Sequence, residues 1–117
     1  MPASSKSIVK RHAPQKAAEL YGRAGDRLVY ERRPSQFEGW IWCTDAAGVS
    51  AWVPEAWAEI LLGGCRLLRD YSSHELVVEP GDQVYIEEQV SGWAWVRSQL
   101  GQAGWVPLYC IELDSSR

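Results

Sequence analysis

The sequence predicts an all-β protein made of two small five-stranded barrels, and two observations lead to that prediction. Its apolar runs are short, rich in Val, Ile, Tyr and Trp, and separated by Gly, Pro, Asp and Ser, which is typical of strands joined by tight turns. One apolar signature is also written twice, as Gly39-Trp40-Ile41-Trp42 with Trp52-Val53-Pro54, and as Gly92-Trp93-Ala94-Trp95 with Trp105-Val106-Pro107. Both halves of this signature recur at an offset of 53 residues (Trp93 against Trp40), which indicates an internal repeat.

Five strands are expected in the first copy, each placed by an apolar run and its flanking turn residues. Ile8-Val9 opens the copy, Gly25-Asp26 begins the second run, Gly39 precedes the third, and Pro54 ends the fourth. The predicted strands are 7–11, 26–32, 39–44, 50–53 and 58–60.

The second copy repeats this order with shorter connections. Gly81-Asp82 corresponds to Gly25-Asp26, Gly92 precedes the tryptophan run, and Pro107 ends the next one. The predicted strands are 65–69, 83–87, 92–98, 103–106 and 111–113.

The repeat also predicts the domain organisation. We expect a first domain over 7–60, a linker over 61–65, a second domain over 66–113, and flexible termini over 1–6 and 114–117. The linker is short and carries Leu61 and Leu62, so we expect these leucines to be buried and to hold the domains together.

Composition argues against several function classes. The chain of 117 residues has a net charge of −3 and no dominant basic face, so we expect no nucleic-acid partner. No apolar run reaches the length of a membrane span and no secretory leader opens the chain, so a soluble, cytoplasmic protein without a membrane partner is expected. Three scattered cysteines without a Cys-x-x-Cys predict free thiols rather than disulfides or a zinc site. With no nucleophile and base in a recognisable arrangement, we expect neither an enzyme nor a cofactor.

Strand alternation assigns the apolar residues to two faces. Successive side chains of a strand point to opposite sides, so the two tryptophans of each Trp-x-Trp share one face and the residue between them lies on the other. We therefore expect the tryptophans of the signature to face outward. The predicted core positions are Ile41, Cys43 and Val53 in the first copy and Ala94, Val96 and Val106 in the second.

This pattern resembles the Src-homology-3 (SH3) family, and the resemblance covers nearly the whole chain. In the second copy it is carried by Leu67-Leu68-Arg69-Asp70-Tyr71, Gly81-Asp82, Trp93 and the run from Gly101 to Pro107. The first copy is more divergent, with Ile8-Val9-Lys10-Arg11-His12 at its opening, and is similar to the variant SH3 modules of bacterial proteins.

The resemblance implies a protein that binds an extended or proline-rich peptide of a partner. By position, the ligand surface of the first copy would consist of His12, Trp40, Trp52, Pro54 and Trp57. That of the second would consist of Tyr71, Trp93, Trp105, Pro107 and Tyr109, with Glu75 as the carboxylate for a basic ligand residue. The chain departs from the family at two positions of each copy: Lys10 and Arg69 replace the first opening tyrosine, and Trp57 and Cys110 replace the final-turn tyrosine.

Two other functions are compatible with the same residues. The tryptophan faces would be buried between the barrels or in a homodimer if the protein were a structural subunit of an assembly. An aromatic cage would instead capture a cationic group by cation–π attraction.

Overall fold

The computed structural model describes residues 4–15, 18–35 and 37–112, and the fold is all-β. Two single turns of 3₁₀ helix, Glu55–Trp57 and Leu108–Cys110, are the only helical elements in these ranges, and neither is long or apolar enough to cross a membrane. The strands are β1 (Lys6–Ser7), β2 (Tyr21–Gly22), β3 (Arg27–Glu31), β4 (Trp40–Thr44), β5 (Ser50–Pro54), β6 (Ala58–Leu61), β7 (Gly64–Leu67), β8 (Tyr71–Ser72), β9 (Gln83–Val90), β10 (Trp93–Ser98) and β11 (Ala103–Pro107).

The chain folds into two compact units, and only one of them is continuous in sequence. The split unit combines the described residues up to Gln15 with those from Glu75 onward. The inserted unit consists of the described residues between them, ending at His74. The chain therefore leaves the split unit after Gln15 and returns to it at Glu75.

The split unit is built on a four-stranded antiparallel sheet in the order β1-β9-β10-β11. Trp95 pairs with Trp105 and Trp93 with Pro107 across β10 and β11, and a bulge interrupts the pairing of β10 with β9 between Trp95 and Val96. The buried core of this unit consists of Ile8, Leu76, Val78, Val84, Ala94, Val96, Val106, Cys110 and Ile111.

The inserted unit contains a five-stranded sheet in the order β5-β4-β3-β7-β6 and a two-stranded sheet of β2 and β8. Trp42 pairs with Trp52, and Trp40 with Pro54, across β4 and β5. The buried apolar residues of this unit are Leu20, Leu28, Ile41, Cys43, Val53, Ala58, Cys65, Leu67 and Tyr71.

The structure differs from the predicted domain boundaries because the two opening strands are exchanged. β1, expected in the first domain, pairs with β9 of the split unit, and Lys6 lies opposite Val84 there. β7, expected to open the second domain, pairs with β3 and β6 of the inserted unit. The physical reason lies in the predicted linker, which is a hairpin that folds β7 directly back onto β6.

This hairpin overturns the expectation of a buried linker. Leu61 pairs with Gly64, so Leu62 and Gly63 form a two-residue turn, and Gly63 adopts the positive φ of 84° that glycine tolerates best. A Cβ at Gly64 would lie 2.5 Å from the carbonyl oxygen of Leu28, so this position requires glycine for β7 to approach β3. Leu62 is fully exposed at the turn, not buried.

The expected closed barrels are not observed as closed sheets. The segments that would close the split unit make only isolated bridges, such as Ile8 with Ile111 and His12 with Val78. The strand predicted at 111–113 is likewise a single bridge at Ile111, and residue 113 lies outside the described residues. Of the two predicted flexible termini, residues 1–3 and 114–117 also lie outside them, whereas Lys6 belongs to β1.

The predicted core is confirmed. Solvent reaches none of the six side chains assigned to it by strand alternation, which are Ile41, Cys43, Val53, Ala94, Val96 and Val106. The strands that carry the Trp-x-Trp signature therefore have the orientation that their sequence indicates.

The two units share a set of backbone hydrogen bonds at corresponding positions. Ile8 donates its N–H to Asp82 in the split unit, and Leu67 donates to Asp26 in the inserted unit. Gly81 donates to Ile8, as Gly25 does to Leu67. Val9 donates to Cys110, as Leu68 does to Trp57. The exchanged opening strands therefore occupy equivalent places in the two units.

Candidate functional site

In the split unit, a histidine, a glutamate and a tryptophan come together at one surface. His12 and Val78 exchange backbone hydrogen bonds of 3.0 and 2.9 Å, which hold the residues before Gln15 against those after Glu75. His12 Nε2 lies 2.8 Å from Glu75 Oε1, and its ring meets Trp93 edge-on with 5.6 Å between ring centroids. We call His12, Glu75 and Trp93 the His12 cluster.

The His12 cluster is partly accessible to solvent. The side chain of His12 is 15% exposed and that of Glu75 is 36% exposed, and Trp93 is half-buried. A carboxylate that accepts a hydrogen bond from an imidazole at this distance keeps a second oxygen and further lone pairs for other donors. The cluster thus offers an indole ring and a hydrogen-bond acceptor side by side.

Tyr109 extends this side of the split unit with a second aromatic ring. Pro107, which pairs with Trp93, begins the 3₁₀ turn that carries Tyr109, and 53% of the surface of Tyr109 is exposed. Lys10 Nζ lies 5.1 Å from the centre of the Tyr109 ring. This is a cation–π distance, so the tyrosine carries a positive charge over one part of its ring.

The inserted unit has a different arrangement at the corresponding place. Trp57 lies in the 3₁₀ turn and meets Tyr71 edge-on at 6.0 Å, while the Tyr71 hydroxyl donates to the carbonyl oxygen of Trp52 at 2.7 Å. The Arg69 guanidinium lies 3.8 Å from the centre of the Trp57 ring. Trp57, Tyr71 and Arg69 form a continuous stack, which we call the Trp57 cluster.

Each unit also contains a pair of tryptophans on the outer face of its sheet. Trp42 meets Trp52 edge-on at 5.2 Å, and Trp95 meets Trp105 at 5.4 Å. The guanidinium of Arg33 lies 4.7 Å from the centre of the Trp42 ring. Edge-on pairs of this kind stabilise a sheet through cross-strand contact.

Trp105 shares the outer face of its sheet with Trp95, as expected, but only 3% of its surface is exposed, so it offers no ring to solvent. Glu75 bridges to Trp105, and the N–H of Leu76 donates to the Trp105 carbonyl oxygen at 3.1 Å. The returning chain therefore lies along the edge of β11. Trp105 is consequently a packing residue.

The structure separates the predicted ligand residues into two groups. Tyr71, Trp105, Pro54 and Pro107 are buried, so they support the surface without offering a face to a ligand. The half-buried or exposed residues of the prediction are His12, Trp40, Trp52, Trp57, Glu75, Trp93 and Tyr109. Both prolines end a strand and begin a 3₁₀ turn, as their sequence context indicates.

Two of the predicted ligand residues belong to the unit other than the one predicted for them. His12 had been assigned with Trp40 and Trp57, but it contacts Trp93 in the split unit. Tyr71 had been assigned with Trp93, but it contacts Trp57 in the inserted unit. The hairpin at Leu62-Gly63, which redirects the opening strands, causes both differences.

Sequence reasoning missed the cations that cover the aromatic rings. Lys10 and Arg69 occupy corresponding positions of the two opening segments, and each lies over the aromatic ring of the nearby 3₁₀ turn. The signal was present, because the two opening segments carry a cation at the same position. Whether such a cation lies over an aromatic ring depends on how close the opening segment comes to the 3₁₀ turn. This distance cannot be read from the sequence.

The cysteines form no reactive site. Cys43, Cys65 and Cys110 are free thiols and all are buried. Burial raises the pKa of the Cys43 and Cys65 thiols, whose sulfur atoms lie 3.9 Å apart, and burial likewise raises the pKa of Cys110. A raised pKa lowers the fraction of nucleophilic thiolate. Over the residues that the structure describes, no group of three His, Cys, Asp or Glu side chains is placed to hold a metal ion.

Comparison with protein-family models, with curated proteins and with solved structures finds no match to this chain.

Proposed function

We propose that this protein is a non-enzymatic interaction protein whose two units are SH3-like barrel modules, and that the split unit binds an extended peptide segment of a partner. The observation that carries the proposal is the His12 cluster, in which a half-buried indole lies beside a partly exposed carboxylate. The 3₁₀ turn after Pro107 carries a second, exposed aromatic ring, that of Tyr109.

The SH3-like assignment is supported by features common to both units. Each has a Gly-Asp before an apolar strand and a proline that begins a 3₁₀ turn. In each, the segment that follows the opening strand also pairs with the segment that precedes the Gly-Asp, through β8 and β2 in the inserted unit and through His12 and Val78 in the split unit. The shared backbone hydrogen bonds of the opening strands add to this support. Two copies of one module in a single chain account for the repeated signature.

The chemistry of the surface favours an extended ligand. A polyproline helix is already ordered in solution, so docking it on aromatic rings costs little conformational entropy. The rings of Trp93 and Tyr109 offer such flat apolar surfaces, and the Glu75 carboxylate is placed to accept a hydrogen bond from a basic residue of the ligand. A cation lies over the ring of the 3₁₀ turn in both units, but Tyr109 is 53% exposed whereas Trp57 is half-buried, so the split unit is the better candidate binder.

Titration of the full chain with proline-rich and random peptide pools, followed by tryptophan fluorescence, tests the proposal. We expect binding to a subset of peptides, and Trp93→Ala to weaken it by about 2 kcal/mol, a typical increment for an aromatic anchor. Leu100→Ala is the matched control, because Leu100 is exposed on the same unit away from the cluster. Trp40→Ala reports on the inserted unit and should leave the affinity unchanged.

Two results would contradict the proposal. One is a folded protein that binds no peptide in either pool. The other is a loss of affinity that is equal for Trp93→Ala and Leu100→Ala. Sedimentation and acrylamide quenching then test the assembly alternative, for which tryptophans protected from the quencher in an oligomer are the expected result.

A further inference from the structure

One lysine of the split unit differs from the arginines of that unit in what it contacts. Arg11 and Arg97 each place a guanidinium nitrogen 2.8 Å from a glutamate carboxylate oxygen. The exposed side chain of Lys10 has no carboxylate at ion-pair distance among the residues that the structure describes. Its ammonium lies instead over the ring of Tyr109, 5.1 Å from the ring centre. Lys10 therefore carries a charge that this part of the chain leaves without a carboxylate.

Backbone hydrogen bonds hold Lys10 beside the surface proposed to bind a peptide. The N–H of Lys10 donates to the carbonyl oxygen of Cys110 at 3.3 Å, so the opening segment lies along the 3₁₀ turn that carries Tyr109. The first residue of that turn donates its N–H to the carbonyl oxygen of Gly92, immediately before Trp93, at 2.9 Å. Lys10 is thus joined to the strand of Trp93 through the turn of Tyr109.

The same surface carries a negative charge at another place. The Glu75 carboxylate is hydrogen-bonded to His12, whose ring contacts Trp93, and Glu75 forms no ion pair with Lys10. A carboxylate therefore lies on the Trp93 side of this surface, and an ammonium lies on its Tyr109 side. A ligand that covers both rings meets two charges of opposite sign.

A ligand that covers the ring of Tyr109 also removes water from the Lys10 ammonium. Taking a charge out of water is costly unless an opposite charge or hydrogen-bond acceptors replace the lost water. The ammonium has three N–H donors, and the aromatic ring supplies no lone pairs for them. A carboxylate of the ligand would accept these hydrogen bonds, whereas a basic side chain at the same place would be repelled. Lys10 therefore selects ligands by their charge.

We propose that the peptide segment bound by the split unit carries an acidic side chain that pairs with Lys10, in addition to the basic side chain that pairs with Glu75. This inference rests on the proposed function, because it names the chemistry of the ligand for the same surface. Lys10 determines specificity, and Tyr109 positions its ammonium. Opposite charges at two places of the surface also fix the direction in which the peptide lies.

Proline-rich peptide pools that differ only at their ends test the inference on the full chain. Each pool has randomised residues between its prolines and a lysine at one end, and the other end carries aspartate, alanine or lysine. A second set reverses the order of the two ends. A further pool places lysine and aspartate side by side at one end, which controls for total charge. Tryptophan fluorescence measures the affinity of each pool at two salt concentrations.

We expect the aspartate pool, in one of the two orders, to bind about two- to fivefold more tightly than the alanine pool, and the lysine pool to bind least. Lys10→Gln should abolish this preference, and Lys10→Glu should reverse it. Arg97→Gln removes the same charge from an exposed site on β10 and should keep the preference. The preference should shrink with added salt, because Lys10 is exposed.

The outcomes separate this inference from the proposed function. Equal affinity for all pools overturns the inference and leaves peptide binding intact, whereas the absence of binding to any pool overturns both. A preference that persists in Lys10→Gln, or that Arg97→Gln also abolishes, overturns the inference as well, because the charge would then act without contact at Lys10.

Two substitutions of Tyr109 test whether its ring positions the ammonium. Tyr109→Phe keeps an aromatic ring under Lys10, and Tyr109→Leu replaces it by an apolar side chain without one. The measured quantity is the ratio of the affinities for the aspartate and alanine pools, since loss of an apolar contact with the ligand would weaken both pools alike. We expect Tyr109→Phe to keep this ratio and Tyr109→Leu to lower it. Equal ratios in the two variants would overturn the positioning role of the ring.

Discussion

The split and inserted units place different side chains at one position of the same backbone arrangement. Tyr71 of the inserted unit corresponds to His12 of the split unit, since they lie four residues after the equivalent buried residues Leu67 and Ile8. The Tyr71 hydroxyl donates to the carbonyl oxygen of Trp52. In the split unit the corresponding carbonyl, that of Trp105, accepts a backbone N–H from Leu76 instead.

This substitution changes which tryptophan is accessible. Where Tyr71 supplies the donor, Trp52 stays half-buried. Where the backbone of Leu76 supplies it, Trp105 is buried. His12 then turns toward Glu75 and Trp93. The inserted unit therefore has a tyrosine beside its Trp-Val-Pro strand, whereas the split unit has a histidine that is hydrogen-bonded to a glutamate.

The 3₁₀ turns differ in a parallel way. The inserted unit presents Trp57 at the last position of its turn, whereas the split unit buries Cys110 there and exposes Tyr109 one residue earlier. A cation covers the ring in both cases. The two units thus keep the cation–aromatic contact but differ in how much ring remains exposed, which is why the split unit is the better binding candidate.

The largest expected effect tests whether the units are assigned correctly. A fragment of residues 16–74 contains all the strands of the inserted unit and should fold with a cooperative thermal transition. A fragment of residues 7–60 lacks the buried side chains of Cys65 and Leu67 and should stay unfolded. Circular dichroism and the dispersion of proton NMR signals measure both outcomes.

A stably folded 7–60 fragment would contradict the assignment of the two units, because it would mean that the opening strands are not exchanged. Refolding the 16–74 fragment under the same conditions is the positive control.

Sequence reasoning predicts the fold class and the core because both depend on local alternation. Ile41 and Val53 are buried by the same period-two rule that places Trp40 and Trp42 on the other face. The partner of a strand is not local, and two similar opening segments compete for similar sites. The choice of partner for β7 depends on the two-residue turn at Leu62-Gly63, which joins β6 to β7. From the sequence, residues 61–65 are expected to form a linker between two domains.

The candidate site could be predicted only residue by residue. His12 and Trp93 were both selected from the sequence, but in different copies, because their contact depends on the strand exchange. The burial of Trp105 could not be read from its strand at all. Glu75 and Leu76 join the edge of β11 at Trp105, and this pairing between segments far apart in sequence is not visible in the strand itself.

A second prediction sharpens the assignment inside the full chain. Leu67→Ala should destabilise the inserted unit, and Ile8→Ala the split unit, each by about 2–5 kcal/mol, because each removes a fully buried side chain. Residue-resolved hydrogen exchange shows which unit loses protection.

The neighbours Leu68 and Val9 provide matched controls, since both are more than half exposed and an alanine there should change stability by about 0.5 kcal/mol or less. Loss of protection in the inserted unit on Ile8→Ala would be incompatible with the observed pairing.

A third prediction concerns the side chain that distinguishes the units. Tyr71→Phe removes the hydroxyl donor to the Trp52 carbonyl and should lower the free energy of unfolding by about 1 kcal/mol. Chemical denaturation measures this change. Tyr21→Phe is the control, because Tyr21 is exposed in the same unit. If the two variants were equally stable, the hydrogen bond of the Tyr71 hydroxyl could not explain why the two units differ around Trp52 and Trp105.

The smallest expected effect depends on pH and concerns the ion pair between Arg32 and Glu55 in the inserted unit. Arg32 donates two hydrogen bonds of 2.9 Å to the Glu55 carboxylate, and these bonds lower the pKa of Glu55 from its ordinary value of 4.5. Leu108 occupies the corresponding position in the split unit. A carboxylate whose pKa is lowered by folding stabilises the folded chain above the ordinary pKa, and this contribution is lost as pH falls through the lowered pKa.

Glu55→Gln should therefore lower the urea midpoint slightly at pH 7 and leave it unchanged once the pH is well below 4.5. The effect should shrink with added salt, because both side chains are accessible to solvent. Glu38→Gln, at an exposed position of the same unit, controls for the loss of a negative charge. A deficit of Glu55→Gln that is the same at pH 7 and at low pH would mean that the side chain acts through packing, and the electrostatic difference between the units would then disappear.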